Sequence, residues 1–216
     1  MFHQERIVIG ITGGSASGKT LIAHKIAKFL EEKNKEVTLV SQDHFYKSVP
    51  HGTDISTYNF DDPNALDLDE LHQAVSILKY GRNVLIPTYN FKIHQRDGQQ
   101  EIKTARIIIV EGIFVFNNSR LRDLFDLKIF VDASSEVRLL RRIERDIAER
   151  GRDISSIKKQ YLAFVKPAYR TYIKSTKQYA DITIPNEGDE TLVGVKLVND
   201  FLLNTINSTK IEIMTQ

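Results

Sequence analysis

Eight consecutive residues carry the clearest chemistry in the chain: Gly13-Gly14-Ser15-Ala16-Ser17-Gly18-Lys19-Thr20. A glycine, four residues and then Gly-Lys-Ser/Thr make the loop that wraps the phosphates of a nucleotide. The glycines let backbone N–H groups converge on phosphate oxygens, and a helix starting there adds positive potential. Lys19 would reach the β- and γ-phosphates, and the Thr20 hydroxyl would ligate Mg²⁺. The plain alternative is a glycine turn before a helix, with Lys19 solvated.

Other residues complete a phosphoryl-transfer set. Glu111 follows the most apolar strand, where a carboxylate would hold or order Mg²⁺; otherwise it is a strand-end cap. Asp43 follows the second strand, at the end that opens on a ligand crevice. There it would accept a proton from an acceptor hydroxyl, which separates a kinase from a plain ATPase. A turn-capping Asp explains the position equally well. Six arginines, Arg138, Arg141, Arg142, Arg145, Arg150 and Arg152, read as a lid over transferred phosphoryl charge or as a solvated basic face. On the lid reading two or three of them act. Tyr46, Phe60, Tyr89, Phe91 and His94 would stack on and read a base, or would simply be core aromatics and a structural histidine.

The elements that must position these residues follow from periodicity. Arg6–Ile11 is a buried strand that runs into the glycine loop, and Ile22, Ile26, Phe29 and Leu30 mark the helix after it. Val37–Val40 is a second strand, so the order predicts a parallel βαβ unit. Residues 44–65 are polar, aromatic and irregular, a functional loop or small cap. Asp67–Tyr80 reads as a helix. Val84–Ile86, Thr88–Ile93 and Gln100–Ala105 read as short antiparallel strands around Arg96-Asp97-Gly98. Strands follow at Arg106–Val110 and Leu127–Val131. A helix capped by Ser134 would bury Val137, Leu140, Ile143 and Ile147, and Gly151 breaks it. Ile154–Ser175 is mostly helical with Pro167 interrupting, Ile182–Ile184 is a last strand, and Thr191–Leu203 a closing helix. Together these predict an α/β fold: a phosphate-loop NTPase-type parallel sheet with helices on both faces, plus a small β-hairpin and lid insertion. We expect one kinase domain over 1–216, with a nucleoside-binding insertion at about 44–105 and a lid at about 145–165.

Composition excludes several classes. With no Cys among 216 residues there is no disulfide scaffold, thiolate metal site or Cys nucleophile. Lys plus Arg number 30 against 28 for Asp plus Glu, too even a balance to argue for nucleic acid. Apolar runs are strand-sized, so no membrane span is expected. The N-terminus shows no signal-peptide pattern, so a cytoplasmic protein is expected.

Taken together the segments resemble the uridine–cytidine kinase family. The matching pieces are the glycine loop, Ser41-Gln42-Asp43-His44-Phe45-Tyr46, Asn59-Phe60-Asp61-Asp62-Pro63, Ile86-Pro87-Thr88-Tyr89-Asn90-Phe91, Val110-Glu111-Gly112-Ile113, Arg141-Arg142-Ile143-Glu144-Arg145-Asp146, Glu149-Arg150-Gly151-Arg152-Asp153 and Phe164-Val165-Lys166-Pro167. They span roughly residues 6 to 204. The resemblance implies ATP or GTP as donor, Mg²⁺ held by Thr20, Glu111 and Asp43, and a pyrimidine nucleoside as acceptor. By position Asp43 looks like the general base, with Lys19, Arg142 and Arg145 gathering phosphate. Asp61 and Arg152 look like a ribose clamp, and Tyr89 and His94 like readers of the base edge. Tyr46, Phe60 and Phe91 would pack the base, with Gln160 a further contact. The family's homo-oligomeric, commonly tetrameric assembly is implied too. Two features depart from the family: the stretch between Tyr46 and Asn59 is short, and Asn90 replaces an Asp beside the expected base pocket. Asn90→Asp is therefore expected to raise turnover. Two other readings stand: a kinase of another small alcohol, of the phosphopentose or pantothenate type, and a nucleotide-binding regulator with little turnover.

Overall fold

A computed structural model describes residues 6–55, 57–188 and 191–214. The leader-free N-terminus read from the sequence falls on Met1–Glu5, outside the described residues. In chain order, β1 (Ile7–Gly13) runs through the glycine loop into α1 (Lys19–Glu32), followed by β2 (Val37–Ser41), α2 (Leu68–Lys79) and a hairpin of β3 (Val84–Asn90) and β4 (Gln95–Ile102). Then come β5 (Ile107–Glu111), the short α3 (Ser119–Arg122), β6 (Leu127–Asp132), α4 (Ser135–Arg150), α5 (Ile154–Gln160), a three-residue α6 (Lys166–Ala168), β7 (Ile182–Pro185) and α7 (Thr191–Met214).

Five strands form one parallel sheet in the order β2-β5-β1-β6-β7, as the alternation of apolar strands and helices predicts. Period-two alternation splits its side chains between two cores. Val8, Val40, Ile108, Val110 and Phe130 face Leu71, Val75 and Leu78 of α2 and Phe114 and Phe116. Ile9, Ile11, Ile107, Ile109, Ile129 and Val131 face Ile22, Ile26 and Leu30 of α1 and Val195, Val198 and Leu202 of α7. Register fixes the site: Glu111 stands opposite Ile11 on one side and Ser41 on the other. The carboxyl ends of β1, β2 and β5 therefore meet in one row, at the edge where open α/β sheets bind ligands. No described helix is long and apolar enough to cross a membrane.

Three local expectations need correction. Helix α4 is turned about its axis. Leu140 is 61% and Ile147 45% exposed, whereas Arg138, Arg142 and Asp146 are buried. Apolar spacing assigns the inward face only when charges must stay wet, and here Arg142 pairs with Asp146 while Arg138 stacks on Tyr169 and donates to the Ala133 carbonyl. The three short strands read between 84 and 105 are two longer ones. Their turn is Phe91–His94, and Arg96-Asp97-Gly98 lies within β4 at a register shift opposite Thr88 and Tyr89. Pro87 fits inside β3 because this ladder has only two strands, so a missing N–H is tolerated at its edge. Finally, Pro167 does not end the helix that follows α5. Two widened turns, Tyr161–Val165 and Tyr169–Ile173, flank it and carry the chain past the missing donor.

Candidate active site

The glycine loop hangs from the central strand and is packed from both sides. Ala16 has φ of 61° and Gly18 of 90°, both left-handed. A Cβ on Gly14 would stand 2.5 Å from Nη1 of Arg138, and one on Gly18 would strike the side-chain amide of Asn186. That amide donates to the Ser17 carbonyl at 2.7 Å, and the Ser17 N–H donates to the Gly14 carbonyl at 3.0 Å. The loop's shape is thus held by the protein's own packing and hydrogen bonds. Lys19 opens α1 with Thr20 beside it; Thr20 is exposed and stands apart from the residues that line the main cleft.

Glu111 is 3% exposed. Its Oε1 accepts from Ser41 Oγ at 2.8 Å; its Oε2 lies 3.8 Å from Lys19 Nζ and has no hydrogen-bond partner. A buried carboxylate oxygen left over in this way fits a cation or the water on one. Among the described residues no cluster of three His, Cys, Asp or Glu builds a metal cage. Mg²⁺ suits such a place, since it ordinarily takes one or two carboxylates and completes its shell with phosphate oxygens and water. Asp43 lies in the tight turn Gln42–Phe45, capped by Ser41, whose Oγ accepts from the Asp43 N–H at 3.3 Å. Fully buried Gln42 pins that turn to the sheet by accepting from the Phe114 N–H at 3.0 Å. The cap belongs to Ser41, and the Asp43 side chain lines the cleft with Ser15 and Lys19.

The far wall of that cleft is aromatic. Tyr46, Tyr58, Phe60, Phe91 and His94 line it, with Asp61, Arg142, Arg145, Arg150, Arg152 and Gln160 between them and the loop. The His94 ring lies 4.7 Å from Phe60 at 32°. Its backbone is left-handed, φ 53°, and its Nδ1 is buried without a hydrogen-bond partner. The hairpin turn that holds it is fastened to residues 46–49: Val49 N–H donates to the His94 carbonyl at 3.1 Å, Gln95 Nε2 to the Val49 carbonyl at 2.7 Å, and Arg96 Nε to the Tyr46 carbonyl at 2.8 Å. Burial, then the charges of Arg152 and Arg150, lowers the His94 pKa, so its imidazole stays neutral at pH 7. Tyr89 does not line the cleft. It packs behind, 5.3 Å from Tyr46 and 5.1 Å from Phe91, with its hydroxyl buried and unpartnered and pushed by burial up to about 12.

Four of the six arginines converge. Arg142 donates from Nη1 to Ser15 Oγ at 2.9 Å, and Arg152 donates to Gln160 Oε1. Burial holds the Asp61 pKa above its usual range, although Arg142 and Arg145 oppose the shift. The other two arginines serve structure. The Arg138 guanidinium stacks 3.8 Å from the Tyr169 ring centre, and Arg141 donates to the Asn186 carbonyl at 2.9 Å.

A family model described as "Phosphoribulokinase / Uridine kinase family" matches residues 8–193. This chain belongs to that family. It is 47% identical over 191 residues to a chloroplastic uridine/cytidine kinase of Arabidopsis thaliana, covering 87% of this chain and 39% of that protein. It is 42% identical over 207 residues to a uridine kinase of Lactococcus lactis subsp. cremoris, covering 94% of this chain and 99% of that one. The chain thus spans about two fifths of the plant relative and nearly all of the bacterial one. The fold matches that of phosphoribulokinase from Rhodobacter spheroides, with a TM-score of 0.62 at 19% identity over 84% of this chain and 70% of that one.

Within this member of the phosphoribulokinase/uridine kinase family, motif reading missed some of the cleft. Tyr58, Ile113 and Phe164 also line it, beside the lid candidate Arg150, and Gln42 and Asn186 support it from beneath. Asn186 had a signal, because a polar residue directly after a parallel strand sits at the crevice end of the sheet. Asn90 also needs correction. It is not in the cleft wall: its Nδ2 donates to Asp97 Oδ2 at 3.0 Å and its Oδ1 accepts from the Lys92 N–H at 3.0 Å. A carboxylate there would face Asp97 and lose the donor. Asn90→Asp is therefore expected to loosen the His94 turn and raise the nucleoside KM, without the gain in turnover that the sequence suggests. Steady-state kinetics on the variant check this; a raised kcat at unchanged KM would contradict it.

Proposed function

We propose that this chain transfers the γ-phosphoryl group of ATP, with Mg²⁺, to the 5′-hydroxyl of uridine or cytidine. One observation supports the reading above the others. A single cleft is lined by the loop's Lys19 at one end, by an aromatic wall with neutral His94 at the other, and by Asp43 and Asp61. A kinase of pentose phosphates or pantothenate has no use for that wall. Residues of about 44–105 serve as the nucleoside-binding part and 145–165 as the lid.

The roles follow from the geometry. Backbone N–H groups of the loop and Lys19 hold the phosphates, joined by Arg142 and Arg145. Thr20, Glu111 and Asp43 would hold Mg²⁺, whose charge would offset that developing on the phosphates. Asp43 accepts the 5′-hydroxyl proton as the hydroxyl oxygen attacks phosphorus. Asp61 and Arg152 hold the ribose hydroxyls, with Gln160 fixing Arg152. Tyr46, Phe60 and Phe91 pack the pyrimidine, and His94 meets its edge. Tyr89 acts from behind the wall through Tyr46 and Phe91. The assembly is a homo-oligomer, commonly a tetramer in the resembling family, and its setting is cytoplasmic. ADP release with uridine, with pentose phosphates and with pantothenate tests the reading. Release that requires uridine supports it, and release with another alcohol, or nucleotide binding without release, overturns it.

His94 gives two expectations. His94→Ala should weaken nucleoside binding far more than ATP binding, because a site built to hydrogen-bond a base edge leaves a polar group unpaired when its partner goes. Calorimetric titration of both ligands measures this, and equal losses would return His94 to a structural role. The pH dependence has a definite sign. A lowered pKa means that the charged form appears only at lower pH than in a free histidine. As pH falls, nucleoside KM should therefore start to rise later than the titration of an unshifted histidine, which is half charged at about 6.5. A KM that rises with or before that titration would contradict a lowered His94 pKa.

A further inference from the structure

Asp146 takes no part in the roles above, yet it is fully buried at the point where the lid's charges meet. Both its oxygens are shared. Oδ1 accepts from Arg145 Nε at 3.0 Å and Nη2 at 2.8 Å and lies 3.7 Å from Arg150 Nη1. Oδ2 lies 3.4 Å from Arg142 Nε and 3.4 Å from Arg152 Nη1. Its backbone carbonyl also accepts from Arg152 N–H at 3.1 Å, across the left-handed Gly151. Burial alone would raise its pKa. Arg142, Arg145 and Arg150 outweigh that, so the carboxyl is held below its usual range and is charged at neutral pH.

Two of these arginines lead in opposite directions. Arg142 continues to Ser15 in the phosphate loop, and Arg152 continues to Gln160 in the aromatic half of the cleft. We propose that Asp146 is the positioning residue that couples the two halves of the site, so that phosphate bound at one end tightens nucleoside binding at the other. The physics is competition for one oxygen. Arg152 Nη1 donates to Oδ2 at 3.4 Å, and Arg142 Nε faces the same oxygen at 3.4 Å as an ion pair without a hydrogen bond. Phosphate oxygens near the loop draw the Arg142 guanidinium away and relieve its claim on Asp146. The carboxylate is then left to Arg152, whose guanidinium is fixed for the acceptor. The coupling is reciprocal, as linkage requires. It rests on the reading of the cleft given above.

The test is calorimetric titration of the β,γ-imido analogue of ATP, with and without saturating uridine. In the wild-type chain uridine should tighten analogue binding, within the roughly 5- to 150-fold range usual for coupled sites. In Asp146→Asn that ratio should fall to one, although each ligand still binds alone. A residue that only stabilises the fold would lower the melting temperature and leave the ratio in place. Should the four arginines prevent Asp146→Asn from folding, Asp146→Glu keeps the charge but displaces the shared oxygens by one methylene, and should give the same loss. An unchanged ratio in the folded variant overturns the inference. So does a wild-type ratio of one when ADP release still requires uridine. Absence of uridine-dependent ADP release would instead overturn the proposed function itself.

Discussion

Asp43→Asn is expected to lower turnover about 10²- to 10⁴-fold, the usual worth of general-base catalysis. The amide keeps the shape of the side chain at the cleft wall and can still hydrogen-bond the acceptor hydroxyl. It cannot take the proton that must leave as the new P–O bond forms. Nucleoside affinity should therefore change little, and the loss should fall on kcat. The turn itself should survive, because its cap is the Ser41 hydroxyl and its anchor is Gln42 on Phe114. Single-turnover measurement of phosphoryl transfer isolates the step. Near-full turnover would eliminate the base assignment. Recovery on added Mg²⁺ would instead assign Asp43 to ordering the metal ion.

Lys19→Ala is expected to reduce transfer by a comparable factor. A positioned cation that meets more charge in the transition state than in bound ATP accelerates the chemical step. Losing one such group typically costs ~10²–10³ in kcat. Folding should persist, since Glu111 keeps its bond from Ser41 and its 3.8 Å ion pair with Lys19 is a long one. Circular dichroism and kcat on the same preparation check both halves. Activity within about tenfold of the unsubstituted chain, only ~1.4 kcal/mol, would be too small a loss for the role.

The sheet was legible because its signals are local and strong. The loop announces itself by residue type at fixed spacing, and β1 and β5 are apolar on both faces, as strands covered by helices must be. Lys19, Asp43 and Glu111 come near one another because Glu111 ends β5, Asp43 lies just beyond β2 and Lys19 opens the helix after the β1 loop, on neighbouring strands in register. The lid was misread for a physical reason. Apolar spacing in α4 points Leu140 and Ile147 inward, but the favourable arrangement buries Arg138, Arg142 and Asp146 instead. That choice depends on partners far away in sequence, Ser15 and Tyr169, which no local pattern can supply. The Asn90 contact was illegible in the same way, since its partner Asp97 lies across the hairpin at a register shift that sequence alone does not fix. Tyr89 was half right: its type fits the aromatic cluster, but it sits inside β3 at the register shift and packs against Tyr46 and Phe91, whereas Phe91 lies in the turn beyond the strand and lines the cleft.

The most direct measurement is phosphorus-31 NMR of a reaction containing the chain, ATP, Mg²⁺ and uridine, run beside one with 5′-deoxyuridine. The cleft joins a phosphate-binding loop, the Asp43 carboxylate and an aromatic nucleoside wall. It should therefore yield ADP and a 5′-phosphomonoester in equal amounts from uridine, and neither from the 5′-deoxy compound. ADP formed equally with both nucleosides, with inorganic phosphate as the only other product, would contradict transfer to the 5′-hydroxyl.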